Sequence, residues 1–506
     1  MAFRTFSLIR AFIKLSAILV VFNIYAQQRT PIDFSASSMQ FHRQIGEDAR
    51  RLIGNVHFSH EGTNLYCDSA YLFTRQNRLE AFSNIRIVVN DTVNIIGDHL
   101  KYDGNTRIAE LTGNVRMTDP QLTLTTNHLV YDLARNTANY SGGGKIVDRQ
   151  NTLTSRWGFY FVDQKQFLYK DEVVLVNPEY TMNSDTLRYN TLTGVAYFFG
   201  PTTIRSEQNT IFCRNGWYDT RNDIARFSHN AFLQSREQSL TGDSLFYDRR
   251  RGYGRADRNI IIRDTVQNSI ISGHLAEHFE KEGISVVTIQ ALLTVISEGD
   301  SLFLHADTLR SVFIEDTDDQ FVFAYHKAKF FRNDLQGISD SIVYHFNDST
   351  ITLFHNPVVW ADVHQLTARR IEIQTSENEI RKANLFDSAF IISQEADLGF
   401  NQVKGRNLTG HFVENDLRRI DVHGNGETIY FVKEDDGTLV GINKAMAEQI
   451  VIFVEDRQVI GIRFFGNPEA NLFPFEQLPE EAQRLRNFQW LDNLRPKSKA
   501  DIFVRD

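Results

Sequence analysis

His274-Leu275-Ala276-Glu277-His278 places two imidazoles and a carboxylate at the spacing of an inverted zinc-peptidase motif. That chemistry needs a helix, because only a helix stacks residues four apart on one face where both histidines can reach one ion. The flanks argue for a strand instead. Gly273-His274-Leu275 stands where Gly97-Asp98-His99-Leu100 and Gly242-Asp243-Ser244-Leu245 stand in two sister segments. The stretch therefore reads as a strand start, and the histidines as turn or surface residues. Gly142-Gly143-Gly144-Lys145 has the residue types of a phosphate loop but neither its full spacing nor a following helix. It reads as a turn. Aspartates are frequent, yet they recur at turns, where a short carboxylate accepts from nearby backbone N–H groups. No pair stands apart as a glycosidase acid and nucleophile would. Cys67 and Cys213 are too sparse for a disulfide scaffold and read as two buried or half-buried thiols. Neither a catalytic set, a metal site nor a cofactor site is legible, so the chain is not read as an enzyme.

The elements that would have to position such residues are far more regular than the residues themselves. Gly54-Asn55-Val56, Ser83-Asn84-Ile85 and Gly113-Asn114-Val115 follow one another at about thirty residues, the signature of a repeat architecture. Each of these asparagine turns opens a first kind of strand: Val56-His57-Phe58, Ile85-Arg86-Ile87 and Val115-Arg116-Met117. A second kind follows as Leu100-Lys101-Tyr102, Leu129-Val130-Tyr131, Leu187-Arg188-Tyr189 and Leu245-Phe246-Tyr247. Apolar and polar residues alternate in both, so one face is buried and the other wet. A small residue recurs between units, at Ala109, Ala138, Ala196, Ala225 and Ala256, and fits a tight corner or a narrow part of the cross-section. Later copies include Asp307-Thr308-Leu309 and Asp340-Ser341-Ile342, giving about thirteen units that end near residue 465.

Composition agrees with strands: 39 Phe and 17 Tyr stand against 9 Pro. A chain of 506 residues exceeds one ordinary globular core, but a stack held by neighbour contacts has no such limit. The formal charge of -9 disfavours nucleic acid as a partner. Residues 1–26 read as a secretory signal, with Arg4, Arg10 and Lys14 ahead of the apolar run Leu15 to Phe22 and Ile24-Tyr25-Ala26 as the cleavage site. The expected organisation is then a polar lead-in at 27–50, β-repeats at 51–283 and 284–466, and a tail at 467–506. The tail reads as a short helix from Pro479 to about Leu491, since proline and acidic residues suit a helix N-terminus.

The repeats resemble those of the organic-solvent-tolerance (OstA-like) family, the LptA-like bridge proteins of lipopolysaccharide transport in the periplasm. The resemblance rests on Arg51-Leu52-Ile53-Gly54-Asn55-Val56, Leu111-Thr112-Gly113-Asn114-Val115 and His128-Leu129-Val130-Tyr131-Asp132. Asp300-Ser301-Leu302-Phe303-Leu304-His305-Ala306-Asp307-Thr308-Leu309 is similar to the long Bacteroidota branch. It covers roughly residues 50–465 and implies an all-β fold: a stacked antiparallel β-jellyroll with an open apolar groove for acyl chains. It implies a periplasmic protein that is not an enzyme and binds lipopolysaccharide. The partners it implies are an inner-membrane lipopolysaccharide export complex, an outer-membrane lipopolysaccharide assembly protein and further copies joined end to end. Strand edges near 50–60 and 450–465 would carry that assembly. The groove face expected on this basis is Val56, Phe58, Ile85, Ile87, Leu100, Tyr102, Val115, Met117, Leu129, Tyr131, Leu187, Tyr189, Leu245 and Tyr247. Patterning alone leaves two cases open, since the same stripe fits a closed core. A closed core with aromatic residues in line outside would instead suit a secreted β-solenoid that binds or cleaves polysaccharide.

Overall fold

The structure, a computed structural model, describes residues 30–504 apart from 42–43, 90, 298, 377–378, 396–398, 435–437 and 457. The expected signal at 1–26 lies outside the described residues. The chain divides into two compact units, 1–138 and 139–506. The described residues form strands and a few 3-10 turns, with every strand pairing antiparallel. No helix among them is long and apolar enough to cross a membrane.

In the first unit the strands Ala49–His60, Thr63–Phe73, Arg78–Val89, Val93–Asp103, Ile108–Thr118 and Thr123–Asp132 form an antiparallel meander. The asparagine positions are not turns between strands. They lie in the middle of long strands, where the register slips between Ile53 and Val56, between Phe82 and Ile85, and between Thr112 and Val115. Two successive residues there take the left-handed conformation: Gly54 and Asn55 (φ 75° and 46°), Ser83 and Asn84 (63° and 50°), Gly113 and Asn114 (77° and 47°). Gly and Asn tolerate that conformation best, which explains their recurrence. The result is a bulge that bends the strand into two arms. A carboxylate on the neighbouring strand secures two of these bends, Asn84 Nδ2 donating to Asp68 and Asn114 Nδ2 to Asp98, both at 2.7 Å, whereas Asn55 Nδ2 donates to the Ser37 hydroxyl at 3.3 Å. The two expected kinds of strand are thus the two arms of every strand.

The lead-in contributes structure of its own. Asp33–Ser35 pairs with one arm of Ala49–His60 and Ser38–Phe41 with the other. The edge expected to be free near residues 50–60 is therefore taken, and the exposed edge is Asp33–Phe41, which displays Phe41 and Met39.

The second unit repeats the bend at Gly142-Gly143, Asp171-Glu172, His229-Asn230, Arg258-Asn259, Ile289-Gln290, His326-Lys327, His355-Asn356, Asp387-Ser388, Gly424-Asn425 and Gly466-Asn467, all with positive φ. Gly142-Gly143 is thus a corner. His274 lies inside the strand Ser269–Phe279 rather than at its start, facing the corner residue Gln290 through Nε2 at 3.2 Å. His278 is on the same extended strand and bonds Ser285. Between Ala138 and Ala256 the small residues have a clear cause. Ala196 lies opposite Tyr189 and Tyr218, and Ala225 opposite Tyr218 and Tyr247, so large and small side chains alternate across the strands.

Towards its end the second unit gains a third layer. In Val358–Ala361 and Ala389–Ile392 every residue is buried, so both faces of that arm are covered. The inner face, with Val359, Leu366 and Ile391, packs on the other arm, and the tail covers the outer face. Leu485 sits in a cluster with Phe390, Ile392, Ile429, Phe431 and Ile442. Three buried glutamines tie the tail down. Gln402 donates to Gln483 O and accepts from Leu485 N, both at 2.8 Å. Gln365 donates to Gln489 O at 2.7 Å and accepts from Leu491 N at 2.6 Å, and Gln336 accepts from Arg495 Nε at 2.7 Å. The tail is a strap rather than a helix. Between Pro479 and Leu491 its helical content is one 3-10 turn, Glu480–Gln483, because the backbone of 483–491 bonds outward to glutamine side chains.

Candidate functional site

All fourteen residues expected on the groove face point between the two arms, yet they do not meet one environment. In the first unit Val56, Phe58, Ile85, Ile87, Leu100, Tyr102, Val115, Met117, Leu129 and Tyr131 are at most 6% exposed. The arms there are shut. The turn at His60–Thr63 ends one arm, and the turn at Gly104–Arg107 ends the other; the bend brings these distant turns together. Arg107 pairs with Glu61 at 2.8 Å, and His60 Nδ1 meets the Tyr102 hydroxyl at 2.6 Å. His60 is itself buried, and burial pushes the Tyr102 phenol up to about 12. The space left beneath Phe58, His60 and Tyr102 is about 20 Å³, the room of about one water molecule.

In the second unit the same stripe changes character. Leu187 and Leu245, near the bends, are buried, whereas Tyr189 and Tyr247, nearer the arm ends, are only half-buried. On the facing arm the inward residues Ile204, Ile211, Leu233, Leu240 and Ile262 are half-buried too. Their counterparts in the first unit, Ile87, Ile95, Met117 and Leu124, are at most 4% exposed. Among the described residues, no hydrogen bond or ion pair joins the turns at 206–209 and 235–238 to the opposite arm. The groove is therefore closed in the first unit and open over 204–262. The fourteen expected residues include none of these five isoleucines and leucines. They share the alternation of every other arm, so nothing local in the sequence marks them as open.

One tie does cross the mouth in this unit. Glu179 lies in the turn between Gln166–Val176 and Tyr180–Asn190, and Arg249 in the turn after Gln238–Asp248. These turns end opposite arms, and Arg249 Nη1 meets Glu179 Oε2 at 3.3 Å. Beneath them lies a cavity of about 90 Å³, lined by Tyr169, Tyr180, Met182, Leu187, Tyr189 and Tyr218 among others. Cys67 and Cys213 are free and buried beside bends, and burial pushes both thiols up to about 12.

Antiparallel strands, each bent into two apolar-lined arms and stacked in a thirty-residue rhythm, define a class of repetitive β-jellyroll with an interior that can open. Comparison with known proteins finds a family match over part of the chain. Residues 34–185 and 184–243 match the model of the OstA-like proteins. The solved structures it resembles include LptH of Pseudomonas aeruginosa, the LptA-homologous periplasmic component of a lipopolysaccharide transport device. That likeness is at 17% identity over 20% of this chain and 76% of that one, with a TM-score of 0.19. No curated protein matches the chain.

Proposed function

We infer that this protein carries lipopolysaccharide through the periplasm, with acyl chains against the open stretch and sugars in water. The observation that carries this reading is the half-buried apolar row Ile204, Ile211, Leu233, Leu240 and Ile262 facing the half-buried Tyr218 and Tyr247. Leaving that much inward apolar surface in water costs stability, and an acyl ligand offsets the cost. The OstA-like match supports the same reading. The protein would act as a bridge from an inner-membrane export complex to an outer-membrane assembly protein. Its exposed edge Asp33–Phe41 and its last strands, Gln458–Phe465 and Glu469–Phe473, would take up partners or further copies by strand addition.

A photo-crosslinking residue at Ile211 or Leu240 in living cells should give a lipopolysaccharide adduct, while one at the closed Leu129 should give little. Absence of adducts from Ile211, Leu233 and Leu240 alike would sink the reading. A second reading has one observation in its favour. Arg188, Tyr197, Trp217, Arg226, Phe246 and Arg255 form a row across successive strands on the outer face, with the Arg188 guanidinium 4.6 Å from the Tyr197 ring centre. Such a row suits stacking on sugar rings. Oligosaccharide binding that is lost in Tyr197→Ala but kept in Leu240→Asp would favour that reading.

A further inference from the structure

The tie between Glu179 and Arg249 differs from its counterpart in the first unit. There, Arg107 and Glu61 are 27% and 37% exposed, and the buried hydrogen bond of His60 to Tyr102 lies beside them. Arg249 and Glu179 are 61% and 70% exposed. Water screens such a pair, and it contributes little to holding the arms together. Yet it stands at the mouth of the unit whose interior opens, over a cavity lined by tyrosines.

The neighbouring charges show which group is available. Asp219 and Asp248 accept from the backbone N–H groups of their own turns, and Asp223 accepts from the Tyr218 hydroxyl at 2.6 Å. Glu280 accepts from the Tyr247 hydroxyl at 2.6 Å. The acids along this rim are thus committed to local structure. Among the arginines, Arg221 donates to Thr191 O, Arg250 to Arg221 O, and Arg251 lies beside Asp248. Of these four, Arg249 is the one whose guanidinium reaches across the mouth, and what it holds there is a carboxylate.

We propose that Arg249 is the head-group site of the open groove: the phosphate or carboxylate of an anionic amphiphile displaces Glu179 from Arg249 while its alkyl chain enters between the arms. This rests on the acyl-carrier reading above and adds the element of charge selection. Glu179 then acts as a stand-in anion that keeps the guanidinium placed in the absence of ligand. A guanidinium suits the role because its planar fork donates to carboxylate and phosphate alike.

The test uses the full chain and two probes of equal alkyl length, a fluorescent monoalkyl phosphate and the corresponding neutral alkyl glucoside. Arg249→Gln should weaken the alkyl phosphate by about tenfold, as loss of a charge-assisted bond does, and leave the glucoside unchanged. Glu179→Gln should strengthen the phosphate probe, because the competing carboxylate is gone. The double exchange Glu179→Arg with Arg249→Glu separates ligand binding from mere closure. It restores an ion pair across the mouth, so a purely structural tie would recover wild-type behaviour. A head-group site would not be restored at Arg249. Recovery of phosphate binding to the wild-type level in the exchange, or equal losses for both probes in Arg249→Gln, would overturn the proposal. Failure of both probes to bind wild-type protein would instead count against the acyl-carrier reading itself.

Discussion

Gln365 is fully buried on the outer face of its arm, and both ends of its amide hold the backbone of the strap. Replacing it with alanine leaves Gln489 O and Leu491 N without these partners. Each buried backbone group left unpaired costs roughly 1–3 kcal/mol, so the strap should lose about 2–5 kcal/mol of docking energy. Gln365→Met keeps the volume and the unbranched shape, and so should show most of the same loss without a cavity. Gln489→Ala is the control, because Gln489 contributes its carbonyl and its side chain is exposed. The loss should be local. Amide exchange and proteolysis would rise over 478–504, while the strands around Val359 and Ile391 keep their protection, since their inner face packs on the other arm. If exchange over 478–504 in Gln365→Met matches the wild type, the glutamine tie does not hold the strap. If Gln489→Ala loosens the strap as much as Gln365→Ala, side-chain packing rather than the amide is responsible.

Other perturbations test the remaining structure. Asn114→Ala should cost about 2 kcal/mol, from a left-handed backbone without a tolerant side chain and a lost bond to Asp98. Asn114→Gly should cost less, and equal costs in urea unfolding would refute the conformational part. Leu129→Asp buries a carboxylate in a shut interior and should cost more than about 4 kcal/mol, whereas Leu240→Asp in the open stretch should cost about 1 kcal/mol. Similar melting temperatures for the two would mean that the arms do not differ. Raised pKa values make the fold sensitive to alkali. Burial lifts Cys67 from 9.0 to about 12 and Tyr102 from 10.0 to about 12, so their contribution is complete below pH 9 and is lost as pH rises towards 12. A melting temperature flat from pH 9 to 12 would contradict this. The same burial predicts that both thiols react slowly with a thiol reagent at pH 8 until the protein is unfolded.

Much of the fold was legible because the corner is a local demand. A doubled left-handed conformation selects Gly and Asn, and Gly54-Asn55, Ser83-Asn84 and Gly113-Asn114 announce it at a constant interval. What the pattern did not convey is that these residues sit inside a strand rather than between two. A bulge and a loop draw on the same residue types, and only the register on both sides tells them apart. The strap left a signal that alternation alone would not place. Val358-Val359-Trp360-Ala361 and Ala389-Phe390-Ile391-Ile392 are continuous apolar runs, as strands covered on both faces must be. The glutamines that pin the strap left no such mark, since a polar residue in a strand ordinarily faces water.

By itself, then, the sequence determined the repeat, the bend in each strand and which side chains look inward, because each depends on residues a few positions apart. Whether the inward side is sealed depends on turns far apart in the chain. His60 reaches Tyr102, and Glu61 reaches Arg107, only once the strands have bent and stacked. Glu179 and Arg249 likewise meet across several strands, while among the described residues the turns at 206–209 and 235–238 have no such ties. Leu129 and Leu240 obey the same local rule. Only the tertiary structure decides that one is core and the other lines an open groove, because that outcome turns on the separation of the two arms.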